Sequence, residues 1–114
     1  MSIENKTLKF EPDLVPLVLS EKKDSTWRLW DDKDLQNGDR VTFIRKPEFM
    51  PFAVAEIISC VEKPLGTLTE EDKKGHEPFK TDKEMYETYT TYYKREVGPE
   101  TPVKILRFKI IQEI

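Results

Sequence analysis

The clearest signal in the chain is alternation of apolar and polar positions near its C-terminal end. Val103, Ile105, Arg107 and Lys109 fall on one side of an extended segment, and Leu106, Phe108 and Ile110 fall on the other. A second strand is predicted from Arg40 to Ile44 after an Asn37-Gly38-Asp39 turn, with Val41, Phe43 and Arg45 sharing a face. Phe52 to Val61, dense in Val, Ile and Ala and bounded by Pro51 and Pro64, is the strongest β segment. Thr7–Phe10 and Thr26–Trp30 read as shorter extended pieces.

Helical spacing takes over elsewhere. Residues 12–20 form a short helix whose prolines sit in the first turn, with Leu14, Leu17 and Val18 on one face. Thr67 to Glu70 and Thr81 to Glu84 each place a hydroxyl three residues before a glutamate, the capping box that satisfies two helix-start amides. After the second box, Met85, Tyr89, Tyr92 and Tyr93 recur at i, i+4, i+7 and i+8, which predicts a buried aromatic stripe ending at Gly98-Pro99. Strands at both ends with helices between them predict an α+β domain whose sheet curls into a barrel.

Composition narrows the picture without changing it. One domain spans residues 1–114, since 114 residues leave no room for a second core. The 36% charged residues nearly cancel to a net charge of −3, and apolar and aromatic residues are plentiful, as in a folded domain. A protein gripping long nucleic acid by phosphate neutralisation is usually basic, so duplex DNA is not expected as a partner. The longest apolar stretch, Met50 to Val61 and broken by Glu56, is too short to span a bilayer, and the N-terminal residues do not pattern as a signal peptide. Cys60 has no second cysteine to pair with, which suits a reducing cytoplasm, and it reads as a small buried apolar residue. Lys104, Arg107 and Lys109 give the last strand a local basic strip, which is either a solvated edge or part of a ligand surface.

Candidate chemistry collects in residues 22–32. A threonine hydroxyl becomes a nucleophile when a nearby base takes its proton, and a desolvated lysine serves as that base. Lys23 and Thr26 fit the pair if the chain bends at Asp24-Ser25; otherwise Lys23 is a solvated helix-end charge and Thr26 an ordinary β residue. Arg28 can bind a phosphate bidentately, or pair with Asp31. Trp27 or Trp30 can stack on a base, although a domain this small needs at least one of them in its core. His76 stands alone, without the cysteines or carboxylates a metal site requires, and reads as a hydrogen-bonding structural residue. Neither a metal nor another cofactor is expected, because no glycine-rich phosphate loop and no ligand cluster is present.

Taken in order, Lys23-x-x-Thr26-x-Arg28, the Gly38-Asp39 turn, Phe52-Ala53-x-Ala55-Glu56-Ile57, Leu68-Thr69-Glu70-Glu71-Asp72, Gly75-His76-Glu77-x-Phe79 with Glu84-Met85, and the closing Val103-Lys104-Ile105-x-x-Phe108 resemble the ASCH domain family. The resemblance runs from about Leu8 to Ile111. It implies a PUA-like β-pseudobarrel with short helices inserted around a cleft, and contact with RNA or a small nucleoside or nucleotide. The Lys23–Arg28 segment would line that cleft, with Trp27, Trp30, Lys104 and Arg107 as further ligand contacts. The sequence is also similar to small ASCH-fold amidohydrolases acting on N4-acetylcytidine. That similarity implies Lys23 as base, Thr26 as nucleophile and Glu77 as the orienting carboxylate. Ribonuclease activity is a third implication; the chain has only His76 where a two-histidine acid/base pair is usual, so Lys23 would have to substitute.

Overall fold

The computed structural model describes residues 6–31 and 33–114, so Asp32, expected beside the candidate segment, lies outside the described residues. Five strands form one curled sheet in the order β1-β3-β4-β5-β2. They are β1 (Lys6–Phe10), β2 (Ser25–Arg28), β3 (Arg40–Arg45), β4 (Met50–Pro64) and β5 (Pro102–Glu113). β1 runs parallel to β3, and the other pairs are antiparallel. Three helices, α1 (Val15–Leu19), α2 (Glu70–Lys73) and α3 (Asp82–Tyr93), are inserted between strands. The result is the α+β pseudobarrel that the resemblance implies. None of the described helices is long and apolar enough to cross a membrane.

The alternation in β5 organises the interior. Leu106 and Phe108 enter one core with Leu8, Phe10, Val41, Phe43 and Ile57. Val103 and Ile105, on the opposite face, enter a second core with Trp27, Leu29, Leu65, Met85 and Val97. One strand buried on both faces thus ties the barrel to α3, and β2 runs alongside it, pairing Thr26 with Leu106.

Several boundaries differ from the sequence pattern for local reasons. The helix expected over 12–20 begins as a 3-10 turn at Pro12–Leu14, because Pro16 has no N–H to close a first α-turn. Its buried residues are Val15 and Val18, with Leu17 only partly covered. β4 runs through Pro51 and Pro64, which sit at the ends of the ladder where a missing donor matters least. A register shift after Phe43 leaves Arg45 exposed beside a buried Phe43. The first capping box forms two residues late. Thr69 caps α2, accepting from the Asp72 amide at 3.2 Å while Asp72 accepts from the Thr69 amide at 2.9 Å. Thr67 instead donates to the Pro64 carbonyl in a 3-10 turn. Thr81 does cap α3 through the Glu84 amide, but the helix ends at Tyr93 because Lys94 turns left-handed (φ 57°), four residues before Gly98.

Candidate functional site

Lys23 leaves α1 with its amide donating to the Leu17 carbonyl at 3.0 Å. The next two amides, of Asp24 and Ser25, both donate to the carbonyl of Gly75 at 3.2 Å. Gly75 adopts φ +79°, and a β-carbon there would lie 1.8 Å from Asp24 Oδ1, so a side chain would break this junction as well as strain the backbone. Pinning Gly75 to residues 24–25 brings His76 and Glu77 against the candidate segment. Lys23 Nζ then donates to Glu77 Oε2 at 2.5 Å and to the Ser25 carbonyl at 2.8 Å.

The Lys23 side chain is only 4% exposed, whereas Glu77 is 32% exposed. Burial lowers the pKa of the Lys23 ammonium, against the raising effect of the Glu77 hydrogen bond and charge. Burial alone would raise the Glu77 carboxyl; His76 and the Lys23 hydrogen bond and charge outweigh it and hold Glu77 below the usual carboxylate range. His76 is pushed down to about 4, first by burial and then by the Lys23 charge, so its imidazole is neutral at pH 7. Its partners assign the tautomer. Nδ1–H donates to the Glu77 carbonyl at 2.9 Å, and Nε2 accepts from the Tyr89 hydroxyl at 3.4 Å. The ring also stacks on Trp27, with centroids 3.8 Å apart and planes 15° from parallel.

These residues line a cleft of about 200 Å³ whose walls include Phe10, Trp27, Phe79, Tyr89 and Tyr93. Thr26, 4% exposed, lines the same cleft, and among the described residues its hydroxyl makes no hydrogen bond. Arg28 borders the cleft farther along β2, with Nη2 donating to the Lys9 carbonyl at 3.0 Å.

No protein-family model and no curated protein matches the sequence. Solved structures do match the fold. A protein of Enterococcus faecalis assigned to the DUF984 family superposes with a TM-score of 0.80, covering 100% of this chain and 84% of its own, at 14% identity. An ASCH protein of Zymomonas mobilis gives 0.68 over 95% of this chain and 68% of its own, at 16% identity. An ASCH domain of Lactobacillus crispatus gives 0.63 over 83% of this chain and 68% of its own, also at 16% identity. The fold is ASCH-like.

Within this ASCH-like frame the sequence-predicted residues separate into two groups. Lys23, Thr26, Trp27, Arg28 and Glu77 share the cleft, with Lys23 and Glu77 in direct contact. No hydrogen bond joins Lys23 to Thr26. Trp30, Lys104 and Arg107 stand outside it. Trp30 lies under the Arg95 guanidinium, 3.9 Å from its ring centre, and edge-on to Tyr93. Lys104 pairs with Asp31 at 2.8 Å and donates to the Leu35 carbonyl. Arg107 donates to the carbonyls of Lys74 and Glu71 at the end of α2. Two of the cations that made the last strand look like a basic strip are therefore engaged within the protein. The aromatic stripe also divides, since Tyr89 and Tyr93 wall the cleft while Tyr92 stands 47% exposed at its mouth. Phe10 and Phe79 carry no local sequence signal of a site role; their placement by β1 and by the Gly75 junction makes them walls. Among the described residues, no group of three His, Cys, Asp or Glu side chains is placed to hold a metal ion.

Proposed function

We propose that the cleft binds a single nucleoside-sized ligand, its base held between aromatic walls and read by the Lys23–Glu77 pair. The observation carrying this reading is a buried, charge-paired lysine in the wall of an aromatic-lined cleft. Flat rings provide stacking area, and one donor–acceptor pair in the lining supplies polar recognition. The test is a titration of the isotope-labelled protein with cytidine, uridine, adenosine and guanosine at low ionic strength. At least one is expected to shift the amide signals of residues 23–28 and 75–79. If all four leave those signals unmoved, the reading is wrong.

A second reading, amide hydrolysis on an N4-acylated cytidine, is favoured by the lowered Lys23 pKa and by an unengaged Thr26 hydroxyl lining the same cleft. Once Lys23 gives up a proton, a step its lowered pKa eases, the amine can keep donating to Ser25 and Glu77 and holds one lone pair to accept a third proton. In this chemistry Thr26 Oγ1 attacks the acyl carbon and its proton passes to Lys23 Nζ. That proton then moves to the departing N4 nitrogen as the C–N bond breaks. Water hydrolyses the Thr26 ester, releasing the acid. Incubation with N4-acetylcytidine is expected to yield cytidine and acetate, with the rate reduced at least about a hundredfold by Thr26→Ala. Deacylation that survives Thr26→Ala removes the hydrolytic reading and leaves the binding reading to the titration above.

A further inference from the structure

The cleft does not end at Arg28. A hollow of about 290 Å³ adjoins it, sharing Lys9, Arg28, Tyr92 and Tyr93 with the cleft and adding Lys33 and Lys46. We propose that this hollow is a phosphate subsite formed by Arg28 and Lys46, so that the cleft's preferred occupant is a nucleotide carrying a phosphomonoester. This rests on the base-binding reading of the cleft and specifies its ligand.

The charges facing the hollow decide which groups are available. Its one described carboxylate, Asp31, is saturated by Lys104 at 2.8 Å and by the amides of Lys33 and Leu35 at 2.9 and 2.8 Å. Lys33 is held by the carbonyl and hydroxyl of Thr7. Lys9 contributes its carbonyl to Arg28, and its ammonium lies over the Phe49 ring at 5.0 Å. Arg28 is different. Among the described residues it has no carboxylate partner, and its Nε–H is buried without a hydrogen-bond acceptor. The Arg28 guanidinium thus has no counter-charge in the hollow, and an anion seated there supplies one.

Lys46 supplies the second positive charge from a separate element, the turn after β3. Its ammonium is 3.4 Å from the Tyr92 hydroxyl and 3.4 Å from Glu11, a carboxylate 52% exposed that a more highly charged anion can displace. A guanidinium, an ammonium and a phenol hydroxyl therefore border one hollow at the outer end of an aromatic cleft. That arrangement matches the order of base, sugar and phosphate in a nucleotide, and the donor set matches a dianionic oxygen cluster. Two available cations on a chain of net charge −3 suit one terminal phosphate better than the many diester contacts of a long RNA.

The experiment is calorimetric titration of the full chain at low salt with the four nucleosides, their 5′-monophosphates and inorganic phosphate. The best-bound nucleoside is expected to gain about ten- to a hundredfold in affinity from its phosphate, the range for charge-assisted hydrogen bonds. Lys46→Gln and Arg28→Gln should each remove most of that gain, and rising salt should erode it. Lys46 does not line the cleft and sits on an exposed turn, so its variant keeps the test usable if Arg28→Gln does not fold. A 5′-monophosphate no tighter than its nucleoside overturns the subsite and leaves the base cleft standing. Binding of neither class overturns both. A short RNA without a terminal phosphate that binds as tightly as the monophosphate overturns the monoester assignment.

Discussion

A Lys23→Met protein is expected to match the wild type in stability to within about 1 kcal/mol while losing ligand binding, whereas Glu77→Gln is expected to be about 2 kcal/mol less stable. The asymmetry follows from where the two charges sit. Lys23 is almost wholly buried and Glu77 is about one-third exposed. Methionine fills the volume of the lysine stem and removes the need to desolvate an ammonium; what it forfeits is a donor to the Ser25 carbonyl, and Glu77 hydrates from the cleft. Glu77→Gln keeps the shape but leaves a buried ammonium without its counter-charge. Removing one partner of a fully buried pair costs about 3–5 kcal/mol, and the exposure of Glu77 reduces that figure.

The pH dependence separates this account from a simple packing defect. Burial places the folded-state pKa of Lys23 below its unfolded value of 10.5. The folded protein therefore binds fewer protons than the unfolded chain between those two values, and stability rises with pH across that window. Without Glu77 the folded pKa falls further and the window widens. Urea unfolding is expected to show the Glu77→Gln deficit in full at pH 7 and narrowed at pH 10. A Glu77→Gln protein as stable as the wild type at pH 7 would sink the pairing argument.

How much of this was legible in the sequence depends on the distance over which each feature is decided. The β5 alternation is local and periodic, so both of its faces were readable, including the split of Leu106 and Phe108 from Val103 and Ile105. The α2 cap was ambiguous because two overlapping patterns, Thr67 to Glu70 and Thr69 to Asp72, compete for one helix start, and only the packing of the preceding 3-10 turn selects the second. The Lys23–Glu77 contact spans 54 residues. The residue types and their order hinted at it through the family resemblance, but the junction between Gly75 and residues 24–25 that creates it has no periodic signature. Cations were the least readable. The alternation of the last strand leaves Lys104 and Arg107 available, yet Asp31 and helix-end carbonyls engage them, while Lys46, in a turn with no periodic signature, borders the hollow. Whether a positive charge is free is settled by its tertiary partners, which a local pattern does not contain.

Lowering the pH from 6.5 toward 4 is expected to remove about 3 kcal/mol of stability through one group, His76. Burial is the largest cause of its low pKa, and the Lys23 and Arg28 charges act in the same direction against Glu77. In the unfolded chain the imidazole takes a proton near 6.5, whereas in the folded protein it does so only at about 4. The unfolded state therefore binds more protons throughout that interval, and stability falls as pH falls. The carboxylates give this prediction its specificity. Asp31, Asp39, Asp72 and Glu77 all have pKa values held below their ordinary 3.8 or 4.5, so their stabilising contributions are lost only at more acid pH. That leaves the interval from about 4.5 to 6.5 to His76, the one histidine in the chain. His76→Phe preserves a flat ring against Trp27 and removes the titrating nitrogens. The loss of an acceptor for Tyr89 should lower its stability by a similar amount at every pH in the interval. Urea midpoints measured across it should slope for the wild type and stay level for His76→Phe. An equal slope in both proteins would show that the proton taken up in acid binds somewhere other than the imidazole stacked on Trp27.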